Sequence, residues 1–588
     1  MTAPIDETQD TTLQPAPEAS GDPAGRPEGW WRDAVVYQVY PRSFADSNGD
    51  GTGDLRGIID HLDHLSELGV DVVWLSPVYA SPMDDNGYDI SDYQAIDPLF
   101  GSLDDMDELL AQAHRRGIKI VMDLVVNHTS DEHPWFVESR RPGSAKRDWY
   151  WWRPAREGHE PGTPGAEPTN WSSFFSPSAW EYDETSGEYY LHLFTRKQPD
   201  LNWENPDVRQ AVYAMMRWWV DRGVDGFRMD VINLISKPVE LRDLEVRPGH
   251  AYADAGMEVA HGPRLQEFLR EMNEAVGLDR HRLLTVGEMP GSTIEDARAI
   301  TDPANGMLNM VFTFEHVNID VGPGGGKFDV APLDLVALKR NLESWQVGLA
   351  EVGWNSLYWD NHDQPRAVSR FGDDSPEFRV ASAKTLASVL HAHRGTPYVY
   401  QGDELGMTNT QFVDISSFAD VESLNYHAQA TSLGVAADEI MAGLAVRSRD
   451  NARTPMQWDD THQAGFTQGV PWLSVNPNYV VVNAKAERLD PASVFHHHRR
   501  LIALRHELPV LAEGRFELLL GDDPQLWVVR RTLGDQTLLL VANCSSRPAT
   551  VPEGALPALD GARLLLATHG DRRTPELEAW ESRMFLLA

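Results

Sequence analysis

The feature that most constrains the fold is an alternation of eight short apolar runs with amphipathic segments between residues 35 and 406. The runs are VVYQVYPRSF, VDVVWLSPV, IKIVMDLVVNH, VDGFRMDVI, LLTVGEMP, LNMVFTFEH, SLYWDNHD and PYVYQGDELG. Between them, segments such as IIDHLDHLSELG and MDELLAQAHRRG repeat apolar residues at three- and four-residue steps, as helices do. Continuously apolar strands separated by helices indicate a parallel sheet. Eight such units predict an α/β fold, a closed (β/α)8 TIM barrel.

Acidic and histidine side chains lie at the predicted carboxyl ends of these strands. They are Asp123, His128, Asp230, Glu288, His362 and Asp363. Barrel enzymes carry their active residues at this face. An oxocarbenium-like transition state needs one carboxylate as nucleophile, one protonated acid for the leaving oxygen, and further negative charge nearby. Asp230, Glu288 and Asp363 supply three such acids, so the pattern indicates sugar chemistry.

Two stretches between predicted strands are too long to be ordinary connections. Residues 129–199 are rich in Trp, Tyr, Pro and Gly, which predicts an irregular subdomain inserted after the third strand, with a small β-sheet. A second excursion runs from about residue 403 to 491, after the eighth strand. Later runs such as FELLLGD, LWVVRRT and QTLLLVANC predict a C-terminal antiparallel β-sandwich. The predicted organisation is a disordered acidic tail (1–28), a catalytic barrel (29–128 and 200–510), the inserted subdomain (129–199) and a C-terminal β domain (511–588).

Charge and composition exclude several classes of partner. A net charge of −38 argues against binding nucleic acid or an anionic membrane, because a phosphate-binding groove needs clustered Lys and Arg. No predicted segment is apolar enough to span a bilayer, and the acidic N-terminus does not resemble a signal peptide. The single cysteine, Cys544, cannot form an internal disulfide, so a reducing compartment is allowed. We therefore expect a cytoplasmic protein, either a monomer or a homodimer.

The ordered motifs DLVVNH, GFRMD, GEMP and NHD at the strand ends resemble those of a known enzyme family. The sequence is similar to the oligo-1,6-glucosidase and α-glucosidase group of the α-amylase superfamily (glycoside hydrolase family 13). The resemblance covers nearly the whole chain after the tail. It implies a barrel, an inserted subdomain after the third strand and a C-terminal β domain, acting on a small oligosaccharide.

The same resemblance implies the catalytic roles. Asp230 would be the nucleophile, Glu288 the general acid/base, and Asp363 the residue that holds the distorted sugar and stabilises the transition state. In a retaining double displacement Glu288 must first carry a proton, so we expect burial and neighbouring carboxylates to raise its pKa. Arg228, on the same strand face as Asp230, would keep Asp230 ionised, and Asp123 would orient Arg228.

Further residues are implied to bind the sugar. His128 and His362 would donate hydrogen bonds to glucose hydroxyls, and Tyr88 in DDNGYDISDY would pack against the C–H face of the ring. Phe175 and Phe194 of the inserted subdomain would narrow the entrance.

Asp85 of the same loop is implied to pair with Arg453 of NARTPMQW. This pair would grip the 4-hydroxyl of the terminal glucose and close the pocket behind the first ring. A closed pocket predicts exo action, the release of single glucose units from non-reducing ends.

The preferred linkage is a finer prediction. Val231, Ile232 and Asn233, which follow the nucleophile, resemble the α-1,6-cleaving members, so isomaltose-type substrates are favoured. Maltose and sucrose stay open as substrates, because one such position is worth only about 1–3 kcal/mol in discrimination.

A glucosyltransferase or sucrose isomerase would use the same acids, although the arginine-rich loop typical of the isomerases is not found after MVFTFEHV. A noncatalytic, transporter-associated barrel would leave the full set of acids unexplained.

A separate metal site is predicted in DSNGDGTGDLRG. Oxygen ligands alternate along this loop, with Gly51 permitting the bend and Gly57 replacing the final Glu of an EF-hand. The predicted ligands are Asp46, Asn48, Asp50, the backbone carbonyl of Thr52, and Asp54. We expect a structural Ca²⁺ ion, with Mg²⁺ as the alternative, and no part in catalysis.

Overall fold

The computed structural model describes residues 25–175, 177–247, 251–557, 559 and 561–587. Most of the predicted acidic tail (1–28) therefore lies outside the described residues. The fold begins with a short 3-10 helix, Trp30–Arg32, whose Trp31 is buried.

Eight parallel strands form a barrel at the centre of the molecule. In chain order they are β1 (Val36–Val39), β2 (Val72–Leu75), β3 (Lys119–Val125), β4 (Gly226–Asp230), β5 (Leu284–Glu288), β6 (Met310–Phe312), β7 (Ser356–Leu357) and β8 (Thr396–Tyr400). They lie in the spatial order β6-β5-β4-β3-β2-β1-β8-β7. A parallel bridge between Val311 and Asn355 joins β6 to the residue before β7 and closes the ring. The predicted (β/α)8 barrel is confirmed.

Helices cover the outside of the barrel. The longer ones are Leu103–Arg115, Pro206–Arg222, Leu265–Val276, Ile294–Thr301, Leu335–Gly348, Arg379–Ala392 and Val494–Glu507. Shorter helices are Leu55–Asp60, Leu62–Leu68, Pro134–Ser139, Gly256–Val259, Ala367–Phe371, Ala484–Leu489 and Pro509–Glu513. In the described part of the chain, none of the helices has the length and apolar character that a membrane span requires.

The two long segments both pack over the carboxyl ends of the strands. Residues 129–199 contain a three-stranded antiparallel sheet formed by Trp152–Arg153, Glu188–Leu191 and Trp180–Asp183. The segment after β8 contains the helices Val421–Ser432, Ala437–Arg447 and Asp450–Arg453. The apolar faces of the first two of these helices share a small core with Phe328, which follows β6, so loops from several strands meet above the barrel.

The C-terminal strands form a five-stranded antiparallel sheet. In spatial order they are Arg515–Leu519, Leu526–Leu533, Gln536–Asn543, Ser582–Leu587 and Arg563–Ala567. Trp527 and Val529 face the barrel and share a core with helix Arg379–Ala392, while Val528 and Val541 pack beneath a ladder of Ala549–Thr550 and Glu576–Leu577. This alternation of faces along each strand buries both sides of the sheet. It explains why helix Arg379–Ala392 is buried along nearly its whole length and shows no amphipathic stripe.

Candidate active site

Asp230 and Glu288 end the neighbouring strands β4 and β5, and Arg228 lies between their side chains. One Arg228 amino group donates to Asp230 at 2.6 Å, and the other donates to Glu288 at 2.5 Å. All three residues are buried. Because side chains two residues apart on a strand point the same way, the sequence GFRMD places Arg228 and Asp230 together. A single cation therefore holds both predicted catalytic carboxylates.

Burial raises the pKa of both acids. The pKa of Asp230 is raised to about 7 by burial, with a further upward contribution from Asp123 and opposing contributions from Arg228 and from a hydrogen bond with Glu288. The pKa of Glu288 is raised to about 8 by burial and by the charges of Asp230 and Asp363, against the opposing effect of Arg228. Arg228 therefore opposes the effect of burial on the pKa of Asp230 without overcoming it, and the charge of Asp230 adds to the effect of burial on the pKa of Glu288. Two interacting carboxyl groups with raised pKa values can share one proton, which suits Glu288 as the acid while Asp230 is ionised as the nucleophile.

Val231, the residue after the nucleophile, has a left-handed backbone conformation with φ 34° and ψ 42°. This conformation is rare for a β-branched residue and costs on the order of 1–3 kcal/mol. Its amide lies 3.2 Å from a Glu288 carboxylate oxygen and donates to it. The turn after β4 is thus tied to the acid at the end of β5.

The carboxylate of Asp123, on β3, is the acceptor of three hydrogen bonds close to the two acids. It accepts hydrogen bonds from Arg228 at 2.9 Å, from the Tyr88 hydroxyl at 3.0 Å and from the Trp74 indole at 3.1 Å. Asp123 thus contacts both the central cation and the aromatic residue predicted to pack against the sugar.

Asp363 and His362, which follow β7, lie across the pocket. Gln38 donates an amide hydrogen to His362 Nδ1 at 2.8 Å, so Nε2 carries the ring proton, and it lies 3.2 Å from an Asp363 oxygen. Burial lowers the pKa of His362 to about 3, which keeps the ring neutral. The Tyr88 ring stacks on the His362 ring at 5.2 Å.

The pKa of Asp363 is shifted in the opposite direction from those of Asp230 and Glu288. Burial alone would raise it, but His362, Arg449 and Arg453 outweigh burial and hold it well below its usual range. Arg453 donates to Asp363 at 2.7 Å and Arg449 donates to the same oxygen at 3.2 Å. Asp363 is therefore a permanent negative charge, as a residue that stabilises a cationic transition state must be.

The prediction that Asp85 forms an ion pair with Arg453 is wrong, because Asp85 pairs with a different arginine. The structure pairs Asp85 with Arg449 at 3.2 Å, while Arg453 pairs with Asp363. The two arginines lie one helical turn apart, so both point toward the pocket and only their distances distinguish them. Asp420 also binds Arg449, at 2.6 Å, and holds its guanidinium against Asp85 and Asp363.

The inserted subdomain supplies the wall near His128. Gln198 lies 3.2 Å from both His128 Nε2 and an Asp85 oxygen, and the ring of Phe194 packs 5.1 Å from that of His128. Phe175 packs edge-on against Phe194 and lies 4.8 Å from the Arg449 guanidinium. The predicted sugar-binding residues are thus brought to one pocket.

The predicted metal loop follows β1 and lies under residues 466–472. Asp46 accepts hydrogen bonds from the amides of Asn48, Gly49 and Gly51 at 2.7–2.9 Å. In the same way, Asn48 accepts from the amide of Asp50, and Asp50 accepts from that of Thr52.

Asp54, the last predicted ligand, caps helix Leu55–Asp60 by accepting the amide of Gly57 at 2.7 Å. It also accepts a hydrogen bond from Ser47. In the described ranges, no three His, Cys, Asp or Glu side chains are arranged to hold a metal ion. The donor atoms are all oxygen, which suits a hard cation, but the side chains here bind their own loop. Metal binding at this loop stays a prediction.

An acid that keeps its proton, a neighbouring carboxylate and a third fixed negative charge, together at the carboxyl face of a barrel, define a glycoside hydrolase. The family can also be stated. Residues 38–514 match the family described as alpha amylase, catalytic domain, and the chain belongs to this family, as the motifs predicted.

Relatives and solved structures agree with this classification. An oligo-1,6-glucosidase of Halalkalibacterium halodurans is 53% identical over 563 residues, which cover 95% of this chain and 99% of the relative. A trehalose-6-phosphate hydrolase of Bacillus subtilis is 47% identical over 565 residues, covering 95% and 98%. The solved trehalose-6-phosphate hydrolase of Bacillus licheniformis superposes with a TM-score of 0.87 at 45% identity, covering 95% of this chain and all of that one.

Several pocket residues escaped sequence reasoning. Arg449 and Asp420 lie in the long excursion after β8, where no strand end marks them. Gln198 carried one weak signal, its place in the segment KQPDLNW just before the chain returns to the barrel. Gln38 and Trp74 lie within the apolar runs that form β1 and β2, and the pattern there predicts only strand residues.

Proposed function

We propose that this protein is a retaining, exo-acting α-glucosidase that removes terminal α-linked glucose from short oligosaccharides. The observation that carries this proposal is the ion pair of Asp85 with Arg449 beside Asp363. The pair is buried, and the ring of Phe175 covers the Arg449 guanidinium at 4.8 Å. The pair would offer a carboxylate acceptor and guanidinium donors to the 4-hydroxyl of a terminal glucose, and in this role it would close the pocket behind the first ring.

The geometry supports a double displacement. Asp230 attacks the anomeric carbon while Glu288 gives its proton to the leaving oxygen, and the glucosyl group is held on the Asp230 carboxylate. Glu288, now ionised, takes a proton from water, and this water releases α-glucose. Arg228 holds both acids throughout, and Asp363 with neutral His362 stabilises the positive charge that develops on the ring.

We favour α-1,6 linkages of the isomaltose type. The support is the resemblance of Val231, Ile232 and Asn233 to the α-1,6-cleaving members, together with the position of Val231, which follows the nucleophile and donates its amide to Glu288. The curated relatives at about 50% identity include several oligo-1,6-glucosidases.

The test is the initial rate of glucose release from isomaltose, maltose and sucrose, with the anomeric form followed by NMR. We expect α-glucose first and isomaltose fastest. Initial β-glucose would overturn the double displacement. A faster rate with maltose or sucrose would overturn only the linkage preference, and transfer products without free glucose would indicate a transglycosylase or isomerase.

We also propose that the loop of Asp46, Asn48, Asp50, Thr52 and Asp54 binds a structural Ca²⁺ ion, or Mg²⁺ in its place. The support is the alternating spacing of oxygen donors and the bend at Gly51, where φ is 96° and a Cβ would lie 1.8 Å from the Val470 carbonyl. Treatment with EDTA should lower the unfolding temperature by several degrees, and calcium should restore it. Asp50→Ala should abolish this response. An unchanged unfolding temperature after metal removal, verified by elemental analysis, would overturn the proposal.

A cytoplasmic location stays an expectation from the sequence. It is supported by Cys544, which has no second cysteine to pair with.

A further inference from the structure

The loop that carries Asp85 has an unusual backbone. Between Ser81 and Asp89, Met83 and Asn86 have positive φ values of 65° and 50°, although neither is glycine, and Gly87 has a φ of 103°. Each such residue costs free energy that neighbouring contacts must offset. A loop of this kind does not hold its shape by local preference alone.

Asp89 supplies the contacts that hold this loop. One of its carboxylate oxygens accepts the Asp85 amide at 3.1 Å and the Ser81 hydroxyl at 3.0 Å, and the other accepts the Asp84 amide at 2.8 Å. Asp89 is 0% exposed. It accepts hydrogen bonds from N–H and O–H groups of its own loop, and burial raises its pKa to about 7. Burying a carboxylate costs free energy unless its hydrogen bonds offset that cost. The bonds that Asp89 makes with its loop therefore stabilise the conformation of this loop.

Asp85 itself is held from two directions. Its carboxylate is bound by Arg449 and Gln198, each at 3.2 Å. Those contacts orient the side chain but not the backbone from which it extends. The Asp89 bond to the Asp85 amide fixes that backbone, and an error of about 1 Å at a binding group is enough to weaken it strongly.

We infer that Asp89 is a positioning residue that sets the affinity for the non-reducing sugar by holding Asp85 against the 4-hydroxyl. This inference rests on the proposed role of the pair of Asp85 with Arg449. It assigns to Asp89 no contact with the substrate.

The test compares 4-nitrophenyl α-D-glucopyranoside with its 4-deoxy analogue, which lacks the hydroxyl that Asp85 would bind. Asp89→Asn keeps the shape of the side chain but presents an NH2 group to one of the loop donors. We expect the KM of the parent substrate to rise roughly 5- to 100-fold with kcat within threefold, as for a lost binding interaction. The KM of the 4-deoxy substrate should change less than twofold.

A matched control is Asp523→Asn in the C-terminal domain. Asp523 also holds a turn, by accepting the amides of Gln525 and Leu526 at 2.9 and 2.8 Å. This variant should leave both KM values unchanged. Ser81→Ala, which removes one donor to Asp89 and a contact to the Met83 amide, should reproduce a smaller selective rise and replaces Asp89→Asn if that variant does not fold.

An equal change with both substrates would overturn the inference and make Asp89 a loop-folding residue only. The inference would also be overturned if Asp89→Asn and Ser81→Ala fold and still prefer the parent substrate over the 4-deoxy substrate as strongly as the unmodified enzyme does. If the unmodified enzyme treats both substrates alike, the proposed grip on the 4-hydroxyl fails first, and the inference fails with it.

Discussion

Two regions of this molecule bury cations, and they do so in opposite ways. In the pocket, Arg228 is 1% exposed and faces three carboxylates, those of Asp123, Asp230 and Glu288. At the contact between the barrel and the C-terminal sheet, Lys339 is also 1% exposed but donates to three backbone carbonyls, of Leu520, Asp523 and Leu526.

Arg531 at that contact, and Arg505 on the barrel helix Val494–Glu507, follow the second pattern. Arg531 donates to the carbonyls of residues 392, 512 and 514, and Arg505 to those of residues 32, 33 and 395. Burial lowers the pKa of Arg505 to about 10, whereas the carboxylates around Arg228 raise its pKa. Carboxylates can exchange protons with a substrate and carbonyls cannot. Arg228 therefore tunes the pKa values of the pocket acids, whereas Lys339 and Arg531 join the barrel to the C-terminal domain.

The largest effect should come from the pocket acid that attacks the sugar. Asp230→Ala should lower kcat by about 10⁴-fold or more, because no other group can form the covalent bond. Initial rates on isomaltose measure this. Asp320→Asn is the control, since Asp320 is a buried carboxylate bound to Arg370 and Arg447 outside the catalytic set. Full activity of Asp230→Ala would remove Asp230 from the mechanism.

Arg449→Lys should have the next largest effect. A lysine has one nitrogen and cannot reach Asp85, Asp363 and Asp420 together, so we expect kcat/KM to fall about 100-fold. Arg447→Lys, two residues earlier and paired with Asp320, should leave kcat/KM within a few fold. Similar losses in the two variants would show that the pocket position of Arg449 does not matter.

Lys339→Met should change stability and not catalysis. It leaves three carbonyls, one in a buried contact and two in part-buried contacts, without their donor. We expect the free energy of unfolding to fall by about 2–4 kcal/mol with kcat and KM unchanged. Urea unfolding and initial rates measure the two quantities. Lys485→Met removes an exposed pair with Asp460 and should change neither. A large loss of activity in Lys339→Met would erase the contrast between the two regions.

The smallest effect we expect is a dependence of folding stability on pH that arises at the contact between the barrel and the C-terminal sheet. His393 packs against Phe516 and Trp527, and burial lowers its pKa to about 4. An unfolded histidine titrates near pH 6.5, so the unfolded state binds more protons and stability is lost as the pH falls from about 6.5 toward 4. His393 should contribute about 1.4 kcal/mol of this loss per pH unit.

His393→Gln should remove the contribution of His393 to the loss of stability at low pH. Urea unfolding at pH 7, 6 and 5 should show the stability difference between the variant and the unmodified protein shrinking as the pH falls. Parallel curves would mean that His393 does not take up a proton on unfolding.

Much of this molecule follows from local patterns in the chain. Apolar continuity marked all eight barrel strands, and the acids Asp230, Glu288 and Asp363 were found because strand ends of a parallel barrel share one face. The family and the glycoside hydrolase class followed from four ordered motifs, and both are confirmed. The metal loop and the domain limits stay predictions.

The partner of Asp85 could not be read in the same way. Arg449 and Arg453 are one helical turn apart and present the same charge to the same pocket. In the structure, Arg449 reaches Asp85 and is also bound by Asp420 and Glu422, which lie about thirty residues earlier. Asp89 likewise looked like one acid among several in its loop, until its buried contacts with Asp84 and Asp85 were visible.

The sequence by itself determined the barrel, the family and the acids that act on the sugar, because periodicity and strand-end position are properties of neighbouring residues. Only the tertiary structure decided how those acids are paired and how strongly each holds its proton. Burial, and charges brought together from distant parts of the chain, raise the pKa values of Glu288 and Asp230 and hold that of Asp363 far below both. Such differences arise from distances across the fold, and these appear only when the loops after β3, β6 and β8 meet over the pocket.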